Sequence, residues 1–262
     1  MSNFISIGTD TELFARNNSG MHIALCGKIG GTKEQPLQIA DLQHGFAIQE
    51  DNVAMEFNIP PCHNAKQFVD SIGIMSVRIK DILANLGLSL SREVSVSFDK
   101  TELTHPTALM FGCEPDYNIW TQMENSKPEA KDANLRTAGG HIHVGTSGNM
   151  VEIVQNMDLY LGVPSVLLDK TEGAAQRREL YGKAGAMRPK SYGLEYRVLS
   201  NFWVFDPNLV RWVFQQTVTS CDAQMAYTKA LSGDIQDCIN NGDQELAQKL
   251  VDKFNIEMPR GS

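Results

Sequence analysis

Apolar and polar residues alternate along several short stretches in the first two-thirds of the chain. This is the pattern of β-strands that bury one face. The longest alternating stretches are residues 3–16 and 45–59, and a shorter apolar segment at 21–26 lies between them. The same pattern predicts further strands at residues 92–98, 138–146 and 192–200.

A helical pattern first appears after Asn64, where apolar residues recur every three or four positions as far as Leu86. Asn64 is a favourable N-cap and Gly87 a favourable C-terminal stop, so a helix is predicted between them. Residues 112–135 are rich in Pro, Asn, Asp and Lys, which predicts a long loop. Further helices are predicted at residues 149–169, 207–231 and 243–254.

Strands therefore dominate the first part of the chain, and helices close it. This order predicts the α+β class, with a curved, mostly antiparallel sheet backed by helices. We expect residues 1–205 to form the domain that holds the sheet and its site, and residues 206–262 to add C-terminal helices that pack on the same domain.

The composition excludes several functions. The net charge is −8, so the chain lacks the excess of Lys and Arg with which a broad nucleic-acid-binding surface displaces counterions. The five cysteines are odd in number and contain no CxxC pair, which argues against a disulfide framework and against a zinc cluster. We expect reduced thiols in a cytoplasm, with no signal peptide and no membrane span, because no apolar run approaches about 18 residues.

Four of the predicted strands carry unusual polar side chains on one face. Residues two apart share a face of a strand, so Asp10 and Glu12 face one way while Ile7 and Leu13 face the other. The polar sets on the other strands are Asn52, Ala54, Glu56 and Asn58; His141 and His143; and Glu195 and Arg197. If these faces converge, they line a cleft whose carboxylates and imidazoles suit Mg²⁺ or Mn²⁺.

Each set also has a simpler interpretation when it is taken alone. A pair of acids on a strand is more often just exposed to solvent, and two histidines between glycines can be a structural pair. Glu195 and Arg197 can form an ordinary charge network across strands. The four sets together favour a site, because solvent-facing strands usually carry Thr, Lys, Ser and Gln instead.

The segment 177–197 is strongly basic within an acidic chain. It is either a solvated loop or a phosphate-binding element, because guanidinium groups bind phosphate oxygens in pairs. Arginines beside a metal-binding cleft are what phosphoryl transfer requires. No Walker A sequence and no GxGxxG are present, so a nucleotide would be held in another way. The basic residues of the segment are Arg177, Arg178, Lys183, Arg188, Lys190 and Arg197.

Four motifs in this order resemble those of glutamine synthetases and glutamate–cysteine ligases. They are TDTELF at 9–14, NVAMEFNIPP at 52–61, RTAGGHIHVG at 136–145 and GLEYRVLSNFW at 193–203. Within that superfamily the chain is most similar to the COOH-NH2 ligases of type 2 (amidoligases) of tailed phages, over about residues 5–205. The resemblance implies a glutamine-synthetase-like fold with the polar face of the sheet as the active-site cleft.

The resemblance also implies roles for particular residues. Glu12 and Glu56 would hold one metal ion, and Asp10, His141 and Glu195 a second. Arg178, Arg188 and Arg197 would contact the transferring phosphate, Arg136 the phosphate or the carboxylate substrate, and His143 would support the metal or face the substrate or nucleotide. Asn52 is a further candidate metal ligand, but it stands where a carboxylate is frequent, and Glu50 or Asp51 is the candidate to compensate. Asp116 or Glu195 would deprotonate the amine.

The function implied is an ATP- and Mg²⁺- (or Mn²⁺-) dependent ligase that joins a carboxylate to an amine through an acyl phosphate. The sequence shows no Ser/His/Asp or Cys/His constellation, and this mechanism needs no protein nucleophile. Two alternatives stay open: a metal-dependent hydrolase, and a catalytically degenerate phage binding or structural protein on the same fold. We expect small-molecule or peptide substrates, no nucleic acid, no membrane, a host-cytoplasmic location if the chain is phage-encoded, and an open possibility of homo-oligomers.

Overall fold

The computed structural model describes residues 2–109, 116–126 and 131–259. Its main feature is an open sheet in which, within these residues, nine strands pair in antiparallel fashion. In chain order they are β1 (Phe4–Leu13), β4 (Leu37–Gln38), β5 (Ala47–Asp51), β6 (Ala54–Asn58), β9 (Tyr117–Asn118), β10 (Met123–Glu124), β12 (Gly140–Thr146), β13 (Ala186–Lys190) and β14 (Gly193–Tyr196). Their spatial order is β10-β9-β13-β14-β12-β1-β6-β5-β4, which places β12 and β1 in the middle.

Two smaller sheets flank the main one. β2 (Ala15–Arg16) pairs with both β3 (His22–Ile23) and β7 (Ser89–Leu90). β8 (Ser95–Ser97) pairs with β11 (Leu135–Thr137). Val96 of β8 lies with Phe14, Val53 and Phe98 in a second apolar cluster, and two of its members, Phe14 and Val53, line the cleft described below.

The helices cover the apolar face of the main sheet. They are α1 (Ala65–Asn85), α2 (Met150–Met157), α3 (Val163–Leu168), α4 (Ala174–Leu180), α5 (Pro207–Asp222), α6 (Lys229–Asn241) and α7 (Gln244–Lys253). A π-helical turn at Asp158–Gly162 joins α2 to α3, and short 3-10 helices lie at Pro106–Leu109 and Asn201–Phe205. The α+β class, with a mostly antiparallel sheet backed by helices, is confirmed.

The core lies between the helices and the apolar face of the sheet. Ile7 of β1, Ile142 of β12 and Tyr196 of β14 are fully buried there. Phe68 of α1 stacks on Trp203 with ring centroids 5.7 Å apart. Each large side chain buried in this way stabilises the fold by about 1.5–3 kcal/mol, so packing holds the apolar face of the sheet against the helices. The cleft lies on the opposite, polar face of the central strands.

The prediction of one continuous helix at 207–231 is wrong, because this stretch contains α5 and the start of α6, with an extended segment between them. The side-chain amide of Asn156, which is buried, donates to the carbonyls of Ser220 and Ala223 and accepts from the hydroxyl of Tyr227. These bonds satisfy the end of α5 and hold the following residues in an extended path. Thr228 then caps α6. A buried amide 64 residues away cannot be inferred from the periodicity of the segment itself.

The basic segment 177–197 is not a loop. Arg177 and Arg178 lie on α4, and Arg188 and Lys190 lie on β13, a strand that the sequence did not predict. Pro189 argues against a strand in the sequence, because proline lacks the backbone N–H that a residue within a sheet donates. β13 nevertheless pairs on both sides within the main sheet.

Three other predictions are refined. The stretch 45–59 is a hairpin of β5 and β6 rather than one strand, and 92–98 shortens to β8 in a separate small sheet. The predicted loop 112–135 contains β9 and β10, while its residues 112–115 and 127–130 lie outside the described ones. The helices at 64–86 and 243–254 are confirmed, with Asn64 accepting a hydrogen bond from the Gln67 backbone as N-cap.

Among the described residues, no helix is both long enough and apolar enough to cross a membrane. Four cysteines lie in this part of the chain, and all four are buried and free: Cys26, Cys62, Cys221 and Cys238. Cys113 lies outside the described residues.

Candidate active site

The register of the main sheet brings the predicted polar sets together. Asp10 of β1 pairs with His141 of β12, and Glu12 of β1 pairs with Glu56 of β6. On the other side of β12, His143 pairs with Glu195 of β14. Directly opposed residues on one face have neighbouring Cβ atoms, so these side chains project into one cleft.

The glycines before the histidines are required by close packing. A Cβ atom on Gly139 would lie 2.3 Å from Nε2 of His141, and one on Gly140 would lie 2.4 Å from the carbonyl oxygen of Ser200. Gly139 also donates its backbone N–H to the carboxylate of Glu12 at 2.7 Å. The GGHIHVG motif therefore sets the place of both an imidazole and a carboxylate.

The first candidate metal site consists of Asp10, His143 and Glu195, which we call the imidazole cluster. One ligand atom of each residue lies within 4.8 Å of the others. His143 Nε2 is 3.0 Å from Asp10 Oδ2. The second histidine, His141, borders the cluster with Nδ1 3.2 Å from Asp10 Oδ1 and 3.8 Å from Glu195 Oε1.

The charges of this cluster are balanced by the protein. Burial opposes the ionisation of Asp10, but His143 and His141 outweigh it and hold the pKa of Asp10 well below its usual range. Burial also tends to lower the pKa of His143, and the adjacent Asp10 carboxylate more than offsets that effect and raises it. The Asp10 carboxylate and the His143 imidazole thus stabilise each other's charged forms.

Glu195 is completely buried and is surrounded by cations. Arg197 donates to its Oε1 atom, Arg188 Nη1 lies 3.5 Å from the same atom, and Lys190 Nζ lies 2.7 Å from Oε2. Burial and the charge of Asp10 both oppose ionisation of Glu195. The Arg197 guanidinium and the histidines nevertheless lower its pKa to about 2, so the carboxylate is charged.

The second candidate metal site consists of Glu12, Asp51 and Glu56, which we call the carboxylate cluster. Their ligand atoms also lie within 4.8 Å of one another. Although the Asp51 residue is exposed, desolvation of its carboxyl group, followed by the negative charge of Glu12, raises its pKa to about 6. Burial and the charges of Asp10 and Asp51 raise the pKa of Glu56 well above its usual range. Crowded carboxylates with raised pKa values are a site where a divalent cation would relieve repulsion.

Asn52 does not belong to this cluster. It occupies the turn between β5 and β6 with a φ of 56°, a left-handed conformation that asparagine tolerates better than most residues. Its side-chain oxygen accepts from Arg136 Nε at 3.1 Å, and the neighbouring Asp51 supplies the carboxylate instead. Glu50 has a different task, because it accepts the backbone N–H groups of Gly27, Ile29 and Gly30 and thereby anchors a loop.

The four arginines predicted to contact phosphate or substrate do not all lie at the imidazole cluster. Arg188 and Arg197 lie at the imidazole cluster, as described above. Arg136 lines the cleft, but its guanidinium donates to Asn52 and to the carbonyls of Ala108, Ala133 and Leu135. Arg178 is not among the cleft-lining residues, and it donates to the carbonyl of Ser165.

Sequence reasoning missed Arg177 as a cleft residue. It lines the cleft and donates to the carbonyls of Val198 and Leu199 at 2.9 and 3.0 Å. Burial lowers its pKa to about 10, still far above neutral pH, so the side chain stays positive. The available signal in the sequence was its place in the basic segment 177–197. The structure adds that Gly182 leaves room for the guanidinium, because a Cβ atom there would lie 2.3 Å from Arg177 Nη1.

Asp116 reaches the site through Arg197. Its Oδ2 atom lies 3.3 Å from Arg197 Nε, and Oδ1 accepts from the side chain of Asn125 at 3.0 Å. The cleft between these groups has a volume of about 410 Å³. Its walls combine charged side chains with apolar ones such as Phe14 and Leu180. The space suits a ligand that has both an apolar part and several negative charges.

The comparison with protein families decides the identity. Residues 131–261 match the family of phage phiEco32-like COOH.NH2 ligases of type 2. The chain belongs to this family. The match covers half of the chain and includes His141, His143, Glu195 and Arg197, whereas the acids on β1 and β6 precede it. No curated protein matches the chain.

The donor set of this COOH-NH2 ligase fits a hard divalent ion. Carboxylate oxygens with an imidazole are typical ligands of Mg²⁺ and Mn²⁺. Two buried atoms of the imidazole cluster, Glu195 Oε2 and His143 Nε2, make ionic contacts but no well-formed hydrogen bond to any described residue. Such atoms are suited to metal coordination, which would satisfy their lone pairs.

Proposed function

We propose that this protein is an ATP- and Mg²⁺- (or Mn²⁺-) dependent ligase that forms an amide bond through an acyl phosphate. One observation carries the proposal. The imidazole cluster contacts the guanidinium groups of Arg188 and Arg197, and Arg197 and His141 line the same cleft as Glu12 and Asp51 of the carboxylate cluster. Membership in a family of COOH-NH2 ligases supports it.

The reaction has two steps. An oxygen of the substrate carboxylate attacks the γ-phosphorus of ATP, the bond to the bridging oxygen breaks, and ADP leaves. The neutral amine then attacks the acyl carbon, and inorganic phosphate leaves with the electrons of the C–O bond. The protein needs no nucleophile, and its task is to position the reactants and to balance charge.

Metal ions at the two clusters would neutralise phosphate oxygens and orient the triphosphate. Asp10, His143 and Glu195 would hold one ion, with His141 beside them, and Glu12, Asp51 and Glu56 would hold another. Two residues differ from the set inferred from the motifs, because His143 takes the place of His141 as a cluster member and Asp51 takes the place of Asn52.

Arg197 and Arg188 would contact the transferring phosphoryl group. Both guanidinium groups already lie against Glu195, so they are held in place before a ligand arrives. Preorganised charge of this kind costs little reorganisation during the reaction. Arg177, which also lines the cleft, would add a further positive charge.

Asp116 would accept the proton of the incoming ammonium group. Its contact with Arg197 keeps it near the site of phosphoryl transfer. A general base must lie within hydrogen-bonding reach of the proton that it removes, and a residue in this position meets that requirement.

The substrates are a carboxylate and an amine, each a small molecule or a peptide, and no nucleic acid takes part. Host cytoplasm is the proposed location, because ATP and Mg²⁺ are available there. Residues 206–262 would act as a helical support for the catalytic part of the chain, since α5 packs against both α1 and β1.

Calorimetric titration with ATP, with and without Mg²⁺, tests the proposal. We expect binding that requires Mg²⁺ in the wild type and is lost in Glu195→Gln. Screening of carboxylates and amines should then identify a carboxylate and an amine that must both be present for ADP to be released. A protein that binds no ATP with any divalent ion would refute the ligase and leave a metal-dependent hydrolase or a binding protein, which a screen of ester and amide substrates without ATP would separate.

A further inference from the structure

The turn between β13 and β14 lies directly over the imidazole cluster. Its residue Tyr192 stacks on His143 with ring centroids 6.0 Å apart and an angle of 17° between the planes. The Tyr192 hydroxyl lies 2.5 Å from His143 Nδ1. This contact fixes the ring so that its other nitrogen, Nε2, faces Asp10 at 3.0 Å.

The backbone of the turn is held rigidly against β12. Gly193 has a φ of 147°, and a Cβ atom there would lie 2.2 Å from the carbonyl oxygen of Val144. The carbonyl of Tyr192 accepts the backbone N–H of Thr146 at 3.1 Å. The position of the Tyr192 ring is therefore set by the sheet itself.

The same turn begins at Lys190, whose Nζ atom lies 2.7 Å from Glu195 Oε2. The Lys190 side chain is 28% exposed, so its flexible stem has solvent on one side into which it can move. An ammonium group and a divalent ion repel each other strongly if they share one carboxylate oxygen. Lys190 must therefore give up this oxygen before a metal ion binds it.

We propose that this turn prepares the imidazole cluster for a divalent metal ion. Tyr192 is a positioning residue that holds His143 with Nδ1–H donating to its hydroxyl, which leaves the Nε2 lone pair for the ion. Lys190 is an internal counter-ion that stabilises Glu195 without metal and yields it when metal binds. Partners of the second ring nitrogen are known to set the affinity of metal-binding histidines.

The two residues have opposite effects on metal binding, although they lie in one turn. Tyr192→Phe keeps the stacked ring but removes the hydroxyl, and we expect it to weaken Mn²⁺ binding about 10- to 100-fold. Lys190→Met keeps the length of the stem but removes the charge, and we expect it to tighten Mn²⁺ binding about tenfold or more. General damage to the turn would weaken binding in both variants.

The experiment is a titration with Mn²⁺ in the absence of ATP, with free Mn²⁺ measured by electron paramagnetic resonance. An Asp51→Asn background removes a ligand of the carboxylate cluster, so that the imidazole cluster dominates the signal. Tyr160→Phe and Lys170→Met, which make the same chemical changes outside the cleft, serve as matched controls and should bind like the background protein. Thermal unfolding of every variant confirms that it is folded.

Opposite shifts in the two turn variants would support the proposal. It is overturned if Tyr192→Phe binds Mn²⁺ as well as the background protein does, if Lys190→Met binds no more tightly, or if no variant binds Mn²⁺. The inference rests on the metal dependence in the proposed function but not on the ligase reaction. Opposite shifts in a protein that never turns over ATP would remove the proposed function and leave the role of the turn intact.

Discussion

The guanidinium of Arg197 donates to the carboxylate of Glu195, its neighbour two positions away on the same face of the sheet. The same guanidinium lies 3.3 Å from both Asp116 Oδ2 and His141 Nδ1. Arg197 thus joins the imidazole cluster to the loop that carries the proposed base. Its planar, forked geometry is what allows contact with three groups at once.

Replacement of Arg197 by lysine should therefore impair phosphoryl transfer more than it impairs folding. We expect kcat/KM for ADP release to fall about 100-fold or more, because one ammonium group cannot reproduce the separate contacts of the guanidinium. Steady-state kinetics measure this. The matched control is Arg211→Lys, at an exposed position of α5, and equal losses in the two variants would contradict the assignment.

Replacement of Asp51 by asparagine should stabilise the metal-free protein but reduce the stabilisation that a bound metal ion provides. Its pKa is raised to about 6 in the folded protein, so the folded state loses stability as pH rises through that value. Asp51→Asn should consequently raise the melting temperature of the metal-free protein at pH 8. It should also reduce the further increase that Mg²⁺ or Mn²⁺ produces, because a ligand is lost. Thermal scans at pH 5 and pH 8 check both effects, and an unchanged metal-induced shift would show that Asp51 is not a ligand.

Gly139→Ala should disturb the site with only a modest effect on the fold. The added methyl group would lie 2.3 Å from His141 Nε2, so the imidazole must leave its present position between Gly139 and Asp10. We expect loss of Mg²⁺-dependent ATP binding in calorimetry. Gly73→Ala is the control, because its Cβ atom meets nothing within 4 Å in α1. That change should stabilise the protein by about 0.5–1 kcal/mol, and normal ATP binding by Gly139→Ala would contradict the role of the motif.

Asp158 gives a prediction about pH that does not involve the cleft. This fully buried carboxyl group accepts from Trp120 Nε1 at 2.6 Å and from the Tyr196 hydroxyl at 2.8 Å. Burial raises its pKa to about 7. Since the folded state holds the proton more tightly than the unfolded state, this group's contribution to stability is complete below about pH 4. The contribution is lost as pH rises towards 7.

Urea unfolding of the wild type and of Asp158→Asn tests this prediction. The difference between the two free energies of unfolding should shift in favour of the variant between pH 4 and pH 7, because the amide carries no charge at either pH. Asp206→Asn, at the exposed N-cap of α5, is the control, and it should not reproduce the shift. A difference that stays constant with pH would show that Asp158 does not titrate in this range.

The sequence predicted most of the site because strands alternate with a period of two. The rule places Asp10 with Glu12, His141 with His143, and Glu195 with Arg197 on one face of their own strands. The register of the sheet is what brings these pairs together. Sequence reasoning named Asp51 as one of two residues that could compensate for Asn52, but it could not predict the turn at Asn52, since a hairpin and one long strand give the same alternation. It also missed β13, because Pro189 looks like a strand breaker when the pairing partners are unknown.

The pairing of β1 with β12 has a consequence for how the protein is made. Asp10 and His141 are 131 positions apart, and the strand that carries Glu195 follows later still. The earliest acids therefore leave the ribosome long before the strands that complete their site. Until then β1 lacks its long-range neighbour, and contacts of such high sequence separation form slowly. A ribosome-bound fragment that ends before β12 should consequently be unable to bind nucleotide, so activity would begin only when synthesis of the chain is nearly finished.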